Sequence, residues 1–221
     1  MSKVVIAKDL VLGYKNDIVI EKGGFSLNSG DFVFLTGASG SGKTTIIRHL
    51  YGELKPKSGY LNIGGFDMRK ISKSKLFHLR RYIGIVFQDY KLIKDWTIEK
   101  NVKLPLIIAG INEEIQQKKV TKLLSQVKLA HMADKYPYQL SGGEQQRAAI
   151  IRAIINEPVL ILADEPTGNL DDYSAALVMD LFRVAHELGI TILIATHHLP
   201  DSFDIPYRHL YIEGKKLYEV S

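Results

Sequence analysis

Four short apolar runs limit what this chain can fold into: Asp31–Gly37 (DFVFLTG), Tyr82–Gln88 (YIGIVFQ), Val159–Glu165 (VLILADE) and Ile190–His197 (ITILIATH). None shows the polar alternation of a half-wetted strand, and the last three end in a polar residue. Such runs read as central parallel strands covered on both faces, with ligands gathered at their C-terminal ends. Upstream, Val5–Tyr14 and Ile18–Gly30 alternate more and read as an antiparallel edge sheet. Between Asp89 and Ile155 no such strand recurs, and Glu113–Leu129 spaces its apolar residues at the helical period. The expectation is an α/β nucleotide-binding domain over residues 1–221. Residues 1–88 and 156–221 would form a mostly parallel core sheet with an antiparallel β edge subdomain, and 89–155 an inserted helical subdomain.

Composition sets the outer limits. With 46% hydrophobic residues in 221, a sizeable core is available. The absence of cysteine excludes disulfides and thiolate metal sites. The N-terminal MSKVVIAKDL is too short an apolar stretch for a signal peptide, and the longest apolar runs fall far below the ~18 residues of a membrane helix. A soluble cytosolic domain is expected. The net charge of +5 suits an acidic partner or simply a solvated basic surface.

Gly37-Ala38-Ser39-Gly40-Ser41-Gly42-Lys43-Thr44 fits G-x-x-x-x-G-K-[ST], and with Thr45 it forms a candidate nucleotide-binding loop between a predicted strand and a helix predicted from TTIIRHLYG. The glycines let backbone N–H groups surround phosphates, Lys43 reaches the β- and γ-phosphates, and the Thr44 hydroxyl suits Mg²⁺. This predicts a nucleoside triphosphate site. After the run 159–163, Asp164 is the candidate metal ligand and Glu165 the candidate general base for an attacking water. Gln88, at the end of another predicted strand, can touch metal or water, and His197 either bonds the γ-phosphate or is structural. A second glycine loop, Ser141-Gly142-Gly143-Glu144, also runs into a helix, where free N–H groups would meet an anion.

In this order the motifs resemble the ATP-binding subunits of ABC transporters over essentially the whole chain. LSGGE at 140–144 is the most specific of them. The resemblance implies ATP and Mg²⁺ as ligands, Gln88 in the Q-loop, Asp164 and Glu165 as metal ligand and base, and His197 as the switch histidine. It also implies Tyr14 as an aromatic that stacks on adenine, a residue otherwise read as a core or surface aromatic. Two copies would pack head to tail, so that Ser141, Gly142, Gly143 and Glu144 of one copy meet the γ-phosphate held by Lys43 of the other, with Asp171 of GNLD at the seam. The strings PLIIAG, GEQQR and LADEPTGNLDD are similar to the group of lipoprotein-releasing, macrolide-export and cell-division ATPases. Such a subunit would lie on the cytoplasmic face of the membrane, held by an integral membrane partner, with no direct contact to nucleic acid. An exporter ATPase or an ATP-gated clamp would carry the same motifs, although a clamp that does not hydrolyse would be expected to lose Glu165. His198 stands where the family usually has Asp, and Trp96 either meets the membrane partner or packs within the helical lobe.

Overall fold

The computed structural model describes residues 2–200 and 202–220. In chain order come β1 (Lys3–Gly13), β2 (Ile18–Asn28), β3 (Phe32–Gly37), α1 (Lys43–Leu50), β4 (Ser58–Ile63), β5 (Phe66–Asp67), α2 (Lys73–Arg80) and β6 (Ile83–Val86). Three helices follow, α3 (Ile98–Ala109), α4 (Glu113–Gln126) and α5 (Gly142–Ile154). The chain then returns through β7 (Leu160–Asp164), α6 (Asp172–Glu187), β8 (Thr191–Ala195), β9 (Arg208–Glu213) and β10 (Lys216–Val220).

All four apolar runs enter one six-stranded sheet of order β10-β9-β3-β8-β7-β6. Its pairs are parallel except β9–β10. Every residue of β3, β7 and β8 is buried, which is why these runs carry no polar alternation. Period two divides them between two cores. Val33, Leu35, Leu162 and Leu193 pack toward Ile46, Ile47 and Leu50 of α1, and Phe32, Phe34, Ile161 and Ile192 toward Val178 and Phe182 of α6.

The N-terminal strands form the expected antiparallel β edge subdomain. They form a separate four-stranded sheet, β2-β1-β4-β5, because β4 returns to pair antiparallel with β1. The inward residues Val5, Ala7, Leu10 and Leu12 then close over the same core as α1. Strand ends shift: β6 stops at Val86 and β8 at Ala195, so Gln88 and His197 stand on loops beyond the sheet rather than at strand ends.

Between β6 and β7 the chain is helical. Thr97 and Asn112 cap α3 and α4, their side-chain oxygens accepting from Lys100 N–H at 3.2 Å and Glu114 N–H at 2.9 Å. Helix α5 serves two masters: Ala148 and Ile151 pack against α3 and α4, while Ile150 and Ala153 pack toward the core sheet and α6. The helix that begins at LSGGE is thereby fixed to both lobes.

Candidate functional site

The loop from Gly37 to Gly42 wraps the N-terminus of α1. Gly42 has φ +112°, and a Cβ there would lie 2.4 Å from Val19 Cγ1, so a side chain is excluded by both backbone and packing. Lys43 is buried and folds back over the loop, its Nζ donating to the Gly37 carbonyl at 2.8 Å and the Ala38 carbonyl at 3.3 Å. Ser41 Oγ is buried with no partner among the described residues. That orphan hydroxyl and the free N–H groups of α1 suit a phosphate oxygen.

The ends of β7 and β8 supply the acidic half. Thr44 Oγ1 donates to Asp164 Oδ1 at 3.1 Å, joining helix to strand. Burial pushes the Asp164 carboxyl up from the ordinary carboxylate range, the Glu165 charge adds to the rise, and the Thr44 hydroxyl opposes it. Glu165 has φ +46°, an uncommon left-handed conformation for a non-glycine residue at a site of this kind. Its Oε1 lies 3.5 Å from Lys43 Nζ and 3.2 Å from His197 Nε2, close contacts without hydrogen-bond geometry. Oε2 accepts from the His197 backbone N–H at 3.3 Å, and His197 Nδ1 lies 3.2 Å from Lys43 Nζ. Lys43, Glu165 and His197 therefore form one cluster from three elements.

Tyr14 follows β1 and reaches α1. Its hydroxyl lies 3.4 Å from Thr45 Oγ1 and accepts from Arg48 Nη1 at 3.2 Å. Tyr14 is 41% exposed, with the Arg48 guanidinium 5.7 Å from its ring centroid. Gln88 is exposed, with no side-chain hydrogen bond among the described residues, so the structure does not join it to Thr44 or Asp164.

The second loop is built as a helix cap. Ser141 precedes α5, its N–H and Oγ both donating to Glu144 Oε2 at 2.8 Å, while Glu144 N–H returns a bond to Ser141 Oγ at 3.3 Å. Burial pushes the Glu144 carboxyl up, but the two Ser141 hydrogen bonds, with the Arg147 and His131 charges, together outweigh it and hold the carboxyl below its ordinary range. The glycines answer to neighbours in their own chain as well as to any ligand. A Cβ on Gly142 would lie 3.0 Å from Tyr90 Oη, and one on Gly143 2.7 Å from Ser174 Oγ. Asp171 caps α6, accepting from Ser174 N–H at 2.9 Å and Ser174 Oγ at 2.8 Å, which holds its carboxyl low. Among the described residues no hydrogen bond joins Ser141–Glu144 to the Lys43 cluster.

The ABC transporter family model matches residues 20–168. The chain belongs to that family. It is an ABC-type ATPase, with the α/β fold of the ABC nucleotide-binding domain. The cell division ATP-binding protein FtsE of Streptococcus pneumoniae serotype 2 is 39% identical over 97% of this chain and 94% of that protein. FtsE of Escherichia coli K12 is 42% identical over 79% of each chain. Among solved structures, the ATP-binding cassette MJ0796, in a dimeric post-hydrolysis state bound to ADP and Pi, superposes with TM-score 0.86 at 31% identity, covering 98% of this chain and 97% of that one.

Three residues of the ABC ATPase escaped the sequence reading because their partners are brought to them only by tertiary packing. Gln146 Nε2 donates to the Pro166 carbonyl at 2.7 Å, tying α5 to the segment after Glu165. Arg152 donates to the carbonyls of Tyr90 and Lys91, each at 2.7 Å. Ser174 fills the space beside Gly143. A signal existed for Arg152, a cation inside the apolar run IIRAII, where an amphipathic helix would bury it.

Proposed function

We propose that this chain is the ATP-hydrolysing subunit of a cell-division ABC complex, acting as an ATP-dependent homodimer beneath an FtsX-like integral membrane subunit and controlling cell-wall hydrolases. The observation that carries the enzymatic part is the convergence of Lys43, Glu165 and His197 beside the Thr44–Asp164 pair. The cell-division part is supported by FtsE relatives at 39–45% identity over most of the chain. Attachment through a partner accords with there being no helix among the described residues long and apolar enough to cross a membrane.

In this reading the phosphates of ATP lie against the N–H groups of α1 and Ser41 Oγ, and Lys43 exchanges Glu165 for the β- and γ-phosphates. Tyr14 offers its open face to the adenine. The oxygens of Thr44 and Asp164 fit a hard divalent cation, and Mg²⁺ bound there would neutralise phosphate charge. Gln88, on its exposed loop, would join that shell only after moving inward. Glu165, released from Lys43, accepts a proton from the attacking water, and His197 holds the γ-phosphate. Ser141, Gly142, Gly143 and Glu144 meet the γ-phosphate of the second copy, and Asp171 borders the seam. The helical segment 89–155 carries this second half-site as one subdomain, with 1–88 and 156–221 as the core.

Glu165→Gln tests the reading. It keeps Lys43, Thr44 and Asp164 but removes the base, so hydrolysis stalls with both nucleotides clamped between copies. Light scattering should show a dimer with ATP and Mg²⁺ and a monomer with ADP. Adding Ser141→Arg should return the ATP form to monomer. A Glu165→Gln protein that stays monomeric at saturating ATP rules out the head-to-tail assembly.

A further inference from the structure

Tyr14 opens the turn 14–17 between β1 and β2, where the Asp17 N–H closes on the Tyr14 carbonyl at 3.3 Å. A surface turn leaves a ring to be aimed by whatever its side chain meets. Here the hydroxyl meets α1 twice. Thr45 and Arg48 stand three residues apart, on one face of that helix. Tyr14 Oη lies 3.4 Å from Thr45 Oγ1 and accepts from Arg48 Nη1 at 3.2 Å. The helix whose first turn carries Lys43 and Thr44 therefore also holds the Tyr14 hydroxyl, one turn further on.

Arg48 is itself anchored. Its Nη2 donates to Glu53, just past the end of α1, so one guanidinium spans a carboxylate and a phenol with two different nitrogens. Glu53 is fixed in turn: its backbone N–H donates to the Arg48 carbonyl at 2.9 Å, and its Oε2 accepts from the Tyr51 hydroxyl. Tyr51 is buried and meets the Phe87 ring edge-on at 6.1 Å, so this line of contacts ends in the core. The Arg48 contact holds the Glu53 carboxyl below its ordinary range, while burial and the Glu53 contact push the Tyr51 phenol up to about 12. Glu53 is thus an anion and Tyr51 a proton donor at neutral pH. With side chains 35% and 36% exposed, the Arg48–Glu53 pair adds little to folding stability, so its consequence is geometric.

We infer that Arg48, held by Glu53, is a positioning residue for the nucleobase, fixing the Tyr14 ring in the plane that receives adenine. The inference rests on the proposed stacking of adenine on Tyr14 and adds what aims the ring. A planar fork suits the task, because Nη1 and Nη2 reach two partners at once, where an ammonium acts as a single point charge. The Glu53 contact removes the rotamer freedom of Arg48 beforehand, so the donor to Tyr14 is preorganised before any nucleotide arrives. The same guanidinium lies 5.7 Å from the Tyr14 ring centroid, within cation–π range, so it holds both ring and hydroxyl. Glu53 offsets the charge of Arg48, which separates this cation from the phosphate-binding Lys43. Its effect should need the base and ignore the phosphates.

Calorimetric titration of the purified chain with ADP and, separately, with pyrophosphate, both in MgCl₂, tests this. ADP carries the base and keeps the chain outside the ATP-dependent dimer; pyrophosphate has no base. A melting curve for each variant checks folding. Arg48→Ala and Glu53→Ala should each weaken ADP binding about three- to tenfold and leave pyrophosphate binding as in wild type. Tyr14→Phe keeps the ring and removes the acceptor. It should weaken ADP binding to a similar degree, and Arg48→Ala added to it should have no further effect. Equal weakening of ADP and pyrophosphate by Arg48→Ala would assign the guanidinium to phosphate charge and overturn the inference. An undiminished effect of Arg48→Ala in the Tyr14→Phe background would overturn it as well. If Tyr14→Ala binds ADP as wild type does, the base does not rest on Tyr14, and the stacking reading falls together with the inference. If Tyr14→Ala weakens ADP binding while Arg48→Ala and Glu53→Ala bind as wild type, stacking stands and the role of Arg48 is wrong.

Discussion

Asp164 and Glu165 adjoin in sequence and face different chemistry. Asp164 closes a buried strand with the Thr44 hydroxyl against it, whereas Glu165 turns through a left-handed backbone to Lys43 and His197. Burial raises the folded Asp164 carboxyl above the ordinary 3.8 at which the unfolded chain ionises. The ionised form therefore opposes folding, with a penalty that begins as pH rises past that ordinary value and is complete above the folded one. Asp164→Asn should raise Tm at neutral pH without nucleotide or metal, by about 2–4 °C for each kcal/mol relieved. It should also lose ATP turnover, and its stability advantage should vanish in acid. A variant no more stable than wild type at pH 7 would mean the carboxylate is already compensated within the free chain.

At the scale of the element, α5 shows how one glycine answers two demands. A Cβ at Gly143 would meet Ser174 Oγ at 2.7 Å and Ser174 Cβ at 2.9 Å, both on the short, packed side chain of α6. Gly143→Ala should therefore lose about 1–3 kcal/mol in urea unfolding of the monomer, before any second copy is involved. Ser174→Gly on top of it should restore part of that loss, giving a favourable coupling between the two positions. If Gly143→Ala unfolds as wild type and fails only in ATP-dependent dimerisation, the glycine serves the second copy alone. Capping at Ser141 by Glu144 is independent of this contact.

For the whole molecule, α1 is the hinge pin between the two sheets, and His49 lies inside it at 0% exposure. Its Nδ1–H donates to the Thr45 carbonyl at 2.8 Å, and Nε2 is buried without a partner. Burial, aided by the Arg48 charge, lowers the imidazole below its ordinary 6.5 against the pull of the Thr45 and Lys55 carbonyls. The folded chain keeps His49 neutral while the unfolded chain protonates, so stability is full above 6.5 and falls as pH drops toward the folded value. The slope from this residue reaches at most about 1.4 kcal/mol per pH unit. His49→Phe should flatten the dependence of the denaturation midpoint on pH below 6.5. An unchanged slope would place the acid sensitivity elsewhere, with His209, also lowered by burial, the next to examine.

What could be read from the chain alone was whatever local chemistry and period dictate. Unbroken apolar runs can only be satisfied by cover on both faces, so β3, β6, β7 and β8 were legible, as was the phosphate loop between strand and helix. The role of LSGGE as a helix start was legible too, because Ser and Glu three residues apart make a cap wherever they stand. The pairing of β1 with β4 was not, nor was the β9–β10 edge, since a strand's partner is chosen by long-range burial and leaves no mark at period two. Glu165 and His197 were legible as candidates, but not their meeting at Lys43, which they reach through backbone turns that only the assembled sheet fixes. Arg48 became the partner of Tyr14 only when the turn after β1 came to rest against α1, for a sequence lists charges and the tertiary structure decides which partners they find.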